Sequence, residues 1–162
     1  MRPLRTTIAG LVGTLMLVGA TAQAADAKTL HLLSRALPNT GGLFDPSGAP
    51  IPDNVEPAAG SYFIGVDNVF KGTHAKHSKK VLGWDHLICT IADPAAQNAT
   101  CDAQIALPGG LLIADRQTVS FSTPTQTFKI TAATGKYRRA KGGTVTARSI
   151  GNTNDSDLTV RY

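Results

Sequence analysis

Most of the features that would announce a function directly are missing from this chain. No G-x-S-x-G, H-E-x-x-H or phosphate-cradling glycine motif occurs, which removes the sequence signatures of the nucleophile-elbow hydrolases, the zincins and the P-loop enzymes. The only two cysteines, Cys89 and Cys101, allow one disulfide and no more, and their spacing is far from C-x-x-C, which argues against a redox-active pair. No apolar run reaches the roughly 20 residues of a membrane-spanning helix. No internal repeat is visible, and after the first 24 residues helical periodicity is absent. His74-x-x-His77 has no third ligand nearby, so a metal centre is not expected there. The charge excess is mild. Of +5 in the full chain, Arg2 and Arg5 belong to an N-terminal leader, and the remainder is too small to argue for nucleic acid.

That leader is the first positive signal. Arg2 and Arg5 precede an uncharged apolar stretch, Ile8 to Ala20, and Ala22-Gln23-Ala24 has the small-x-small form of a cleavage site. Residues 1–24 are therefore expected to be a secretory signal peptide, leaving residues 25–162 as one domain of a secreted protein with no membrane association after cleavage. In an exported chain the simplest reading of Cys89 and Cys101 is a single disulfide, with buried free thiols as the alternative.

Beyond residue 24 the chain reads as strands and turns. Lys28 to Leu37 alternates, with Leu30, Leu32, Ser34 and Ala36 on one face and Thr29, His31, Leu33 and Arg35 on the other. Residues 37–60 carry five prolines, and no ladder is expected through them. A connection this long is a lid across one barrel end or a plain excursion. Ser61 to Lys71 and Val81 to Ala92 are rich in β-branched and aromatic residues, with a polar turn at 72–78. Cys101 to Leu107 and Leu111 to Phe121 flank Pro108-Gly109-Gly110, a turn. Phe128 to Ile150 is expected to form strand, tight turn at Thr134-Gly135, and strand. Leu158 to Tyr162 is the last strand. Eight such segments indicate an antiparallel sandwich or closed barrel. The basic groups cluster at 71–80 and 136–141, where turns are expected, so they read as solvated loops.

The chemistry-bearing candidates are few. Asp67 and Asp85 sit inside otherwise apolar strands, where an aspartate is costly unless exposed or paired. Facing solvent they do nothing; facing a lumen, either would have a raised pKa and serve as a catalytic acid. His86 has the parity opposite to Asp85, so only one of those two faces inwards. Tyr62, His86, Arg116 and Tyr137 are candidates for ligand contact. Tyr137 also reads as a plug of the barrel end with its hydroxyl on backbone, and Arg116 as a surface or interface residue.

Several motifs then fall in a recognisable order: Gly83-Trp84-Asp85-His86 leading to Cys89-Thr90, Cys101 followed by Leu107-Pro108-Gly109-Gly110, and Thr134-Gly135-x-Tyr137-x-x-Ala140-x-Gly142. Together they resemble the secreted bacterial members of the allene oxide cyclase-like family, relatives of the dirigent proteins, over about residues 61–162. The chain departs from that pattern at Ala132-Ala133, where the family has Gly-Gly before Thr-Gly. The resemblance implies an all-β, eight-stranded antiparallel β-barrel of calycin-like shape, often a homotrimer. It implies a mouth that binds a small hydrophobic molecule and guides its cyclisation or coupling as an isomerase or stereochemical guide, without a metal or redox cofactor. A non-catalytic small-molecule carrier and a structural cell-surface barrel are the alternatives. Such guidance needs few polar groups, because a reactive guest closes by itself once its orientation is restricted and water is excluded.

Overall fold

Alternation of apolar and polar side chains builds nearly the whole molecule. A computed structural model describes residues 27–52 and 54–162; the expected leader at 1–24 lies outside the described residues. Ten strands and one 3-10 helix are formed: β1 Thr29–Ala36, β2 Gly42–Phe44, β3 Tyr62–Thr73, β4 Lys76–Asp93, β5 Asn98–Leu107, β6 Gly110–Ser120, β7 Thr125–Lys129, β8 Ala132–Ala133, the helix Gly135–Ala140, β9 Thr144–Ser149 and β10 Ser156–Arg161. All pairings are antiparallel, in the order β7-β9-β10-β1-β3-β4-β5-β6-β8, with β2 on the side of β3.

The two ends of that order, β7 and β8, are consecutive pieces of one segment, and this is what curls the sheet into a barrel. β7 bonds to β9 and β8 to β6. Between them the Ile130 N–H donates to the Gly143 carbonyl at 2.8 Å and the Thr131 N–H to the Ile113 carbonyl at 2.8 Å. Two residues thus transfer the segment from one neighbour to the other. Above that point the β6–β7 seam is bridged by side chains: Gln117 Oε1 accepts the Lys129 N–H at 3.1 Å, and the Gln126 side-chain amide donates to the Ser120 carbonyl.

The expected hairpin at 128–150 is corrected in this respect. Its first strand does not fold back on β9 through a tight turn. Instead Thr134-Gly135 opens into the 3-10 helix, whose Tyr137 and Ala140 are buried and close one barrel end. Of the expected turn chemistry, the glycine at 135 is what the structure uses. Its φ is +56°, and a Cβ there would stand 2.0 Å from the Gly109 carbonyl oxygen, so only glycine lets the two loops touch. A second correction concerns residues 37–60. Strand β2 does form there, in the short interval between Pro38 and Pro46, and Phe44 stacks on Tyr62 at 5.4 Å. Three residues clear of proline are enough for an edge strand. The turn placed at 72–78 is also shorter than expected, since β3 and β4 run on to Thr73 and Lys76.

Core side chains come from one face of each strand: Leu32, Val69, Ile105, Leu112, Ile130 and Val160 are buried inside, each contributing about 1.5–3 kcal/mol by leaving water. Cys89 and Cys101 are register partners on β4 and β5 and are disulfide-bonded, fully buried. Leu33 is buried as well, although it belongs to the opposite face from Leu32. Two bulges bend the β3–β4 hairpin over β1, and its tip is held where the His74 N–H donates to Asp157 Oδ1 at 2.6 Å. Phe70 pairs in register with Leu33, and the Arg35 guanidinium lies 5.5 Å over the Phe70 ring. A small outer cluster therefore sits beside the barrel core.

Candidate functional site

Strand register decides what enters the lumen. β3 and β4 pair without irregularity from Tyr62 to Val69, which sets Asp67 directly opposite Asp85. Val69 and Cys89, on the same faces as these aspartates, are fully buried, so both carboxyl groups point inwards with their Cβ atoms about 5 Å apart. Both line a cavity of about 110 Å³ walled by Leu87, Ile105, Leu112, Phe128, Ile130 and Leu158. That space suits a single ring or a similarly small group.

Ser34 completes the polar floor. It is 3% exposed on the inner face of β1, in register with Val69 while Ala36 opposes Asp67. Its Oγ donates diagonally to Asp67 Oδ2 at 2.7 Å. Burial raises the pKa of Asp67; the Ser34 bond opposes that rise, and the charge of Asp155 adds to it. Asp85 is pushed up to about 7, first by burial and then by the charge of Asp67, against the lowering effect of Ser34. Burial first, and the repulsion of like charges second, keep the two carboxyls from ionising together below neutrality. What the arrangement can do is hold one proton in a dry cavity and present it to a guest.

The other sequence candidates are dispersed. His86 belongs to the wall of the cavity, but strand alternation turns its ring to the outer face and leaves its main chain inside. Tyr62 is half-buried and packs on Phe44, away from the cavity. Tyr137 is buried in the 3-10 helix and outside the cavity lining, with Lys136 Nζ 5.1 Å from its ring centroid. Among the described residues its hydroxyl bonds to no backbone group, contrary to the expectation. Arg116 is exposed and outside the cavity. Its φ is +49°, and its N–H donates to Asp102 Oδ1 at 2.6 Å. This is a bulge that shifts the inner face of β6 from Leu112 and Ala114 to Val119. Among the described residues no three His, Cys, Asp or Glu side chains converge on a point that could hold a metal; His77 instead packs its ring against Phe70 at 5.8 Å. The sequence reading missed Ser34 as a site residue. The available signal was a serine interrupting the apolar face Leu30, Leu32, Ala36.

No family profile matches this chain, and no curated protein matches it. Similar solved structures include a pyocyanin demethylase, with a TM-score of 0.60 and 23% identity, covering 82% of this chain and 98% of that one. They also include two pterocarpan synthase dirigent proteins. GePTS1 has a TM-score of 0.58 and 16% identity over 83% of this chain and 85% of its own. PsPTS1 has a TM-score of 0.60 and 15% identity over 83% and 92%. At these identities the likeness is one of fold, and the fold of this chain is a dirigent-like barrel.

Proposed function

We propose that this chain is a barrel that takes a small, apolar, ring-sized molecule into its lumen and uses the Asp67–Asp85 pair to deliver a proton during the guest's cyclisation, coupling or rearrangement. The observation that carries this reading is the pairing of two aspartates across β3 and β4 inside an apolar cavity, with one of them pushed up to about 7. A buried carboxyl kept protonated near neutrality is a proton donor already desolvated at the place of reaction. The names of its structural neighbours support the reading by analogy, since one demethylates pyocyanin and the others are pterocarpan synthases.

The remaining details are part of the same proposal. Taking β7 and β8 as one strand and leaving out edge strand β2 gives eight strands around the barrel, of the allene oxide cyclase-like kind. The leader at 1–24 directs export, consistent with the Cys89–Cys101 disulfide. The outer face of β3 and β4 carries Ile64, Val66, Trp84 and Ile88, with Trp84 45% exposed, and suits association with further copies in a homotrimer.

The test begins with native mass spectrometry of the mature protein from its own host, to identify a retained guest and the subunit number. Conversion of that guest is then compared between the wild type and Asp85→Asn. General acid catalysis predicts a loss of about a hundredfold or more in the variant. Equal binding with no conversion by either protein would make the barrel a carrier.

A further inference from the structure

We propose that Ser34 is a positioning residue that reinforces which lumen aspartate carries the proton: by committing its hydroxyl hydrogen to Asp67, it holds Asp67 as the carboxylate and leaves the more deeply buried Asp85 the acid. The catalytic consequence rests on the proposed function above, but the proton assignment itself stands on geometry. A serine hydroxyl has one hydrogen to give, and an ionised carboxylate only accepts. The Ser34 Oγ–Asp67 Oδ2 distance of 2.7 Å is that of a well-formed O–H···O bond, the geometry a hydroxyl takes when it donates to a carboxylate. Ser34 is 3% exposed, so water offers its hydroxyl almost no competing partner.

The charged surroundings do not make the choice by themselves. From β4, Asp67 faces Asp85; from the turn before β10 it faces Asp155, whose Oδ2 is paired with Arg35 Nε at 3.2 Å. From β3, Asp85 faces Asp67, from β1 it feels the lowering effect of Ser34, and from β5 its register partner is the apolar Ile105. Neither lumen aspartate is in an ion pair among the described residues. Two carboxyls without a cation share their first proton as a coupled pair. Deeper burial already favours the proton on Asp85, and Ser34, which lowers the pKa of both carboxyls, adds a second asymmetry because its hydrogen bond runs diagonally from β1 to Asp67. The result is a fixed direction: a guest entering the cavity meets the proton on the β4 side and the negative charge on the β3 side.

The experiment is a site-resolved carboxyl ¹³C NMR titration of the folded protein without any guest, in the wild type, Ser34→Ala, Ser34→Thr and Ser34→Cys. In the wild type the step nearest neutrality is expected at the Asp85 carbon. In Ser34→Ala the Asp67 midpoint is expected to rise by about one pH unit, a tenfold gain in proton affinity, and both carbons then move through the upper step. Ser34→Thr keeps the hydroxyl and should restore the wild-type order. Ser34→Cys, a close steric match with a weak donor, should lie between them and serves if the alanine variant does not fold. An upper step on Asp67 in the wild type, or midpoints indifferent to the loss of the hydroxyl, would overturn the assignment. A barrel that titrates as expected but converts no guest would instead count against the proposed function alone.

Discussion

At the residue scale, the lumen pair ties stability to pH. A carboxyl whose pKa lies above its unfolded value binds more protons in the folded state than in the unfolded one between those two values. Stability contributed in this way is present at low pH and lost as pH rises. For Asp85, raised from 3.8 to about 7, the loss runs over that interval and amounts to something on the order of 4 kcal/mol, with Asp67 adding in the same direction. Urea unfolding at several pH values between 4 and 8 should therefore show falling stability in the wild type and a flatter profile in Asp85→Asn. A wild type that gains stability across that range would contradict the burial of this group. Arg116 supplies a second residue-scale test. Its left-handed backbone costs about 1 kcal/mol in a non-glycine residue, so Arg116→Gly should be neutral or stabilising by up to about that amount in chemical denaturation. The sequence showed that both aspartates interrupt apolar strands. It did not show that they face each other, because parity assigns two faces to a strand and says nothing about the register between strands.

At the scale of elements, the segments from β7 to the 3-10 helix are where local reading and structure diverge most. Thr134-Gly135 has the composition of a hairpin turn, and a hairpin is what local rules give. The chain instead uses that glycine for contact with the Gly109-Gly110 turn, and spends Tyr137 and Ala140 on closing the barrel end. Gly135→Ala would force a Cβ into the Gly109 carbonyl at a positive φ, so it should destabilise by roughly 2 kcal/mol or more, measured as a lowered midpoint in thermal unfolding. An unchanged midpoint would show that the two loops do not need this contact. The β3–β4 hairpin was legible as two long strands with β-branched residues, yet its bend over Leu33 was not. Bulges at Val69/Phe70 and Phe70/Gly72 depend on what the strand meets, and a single strand's alternation carries no record of them.

At the scale of the whole molecule, the disulfide joins β4 to β5 across a paired register, in the interior and without solvent contact. Its reduction should lower stability by about 2–5 kcal/mol, seen as a drop in the unfolding midpoint with reductant. The intact and reduced proteins should differ by about two daltons, the mass of the two hydrogens added to the Cys89–Cys101 pair. For the proposed homotrimer, Trp84→Asp on the outer face of β4 is expected to shift the sedimenting species towards monomer while leaving the lumen titration unchanged.

The sequence by itself determined the strand segments, their two-faced patterning, the glycine at the Gly109 contact and the one cysteine pair available for bonding. These depend on neighbours within a few residues, and steric and solvation preferences act at that range. Tertiary structure decided which face became the inside, that Asp67 meets Asp85 with Ser34 beside them, and that residues 125–133 close the sheet from both sides. Those outcomes depend on curvature, bulges and pairings between segments far apart in the chain, so the lumen exists only once the sheet has curled round to meet itself.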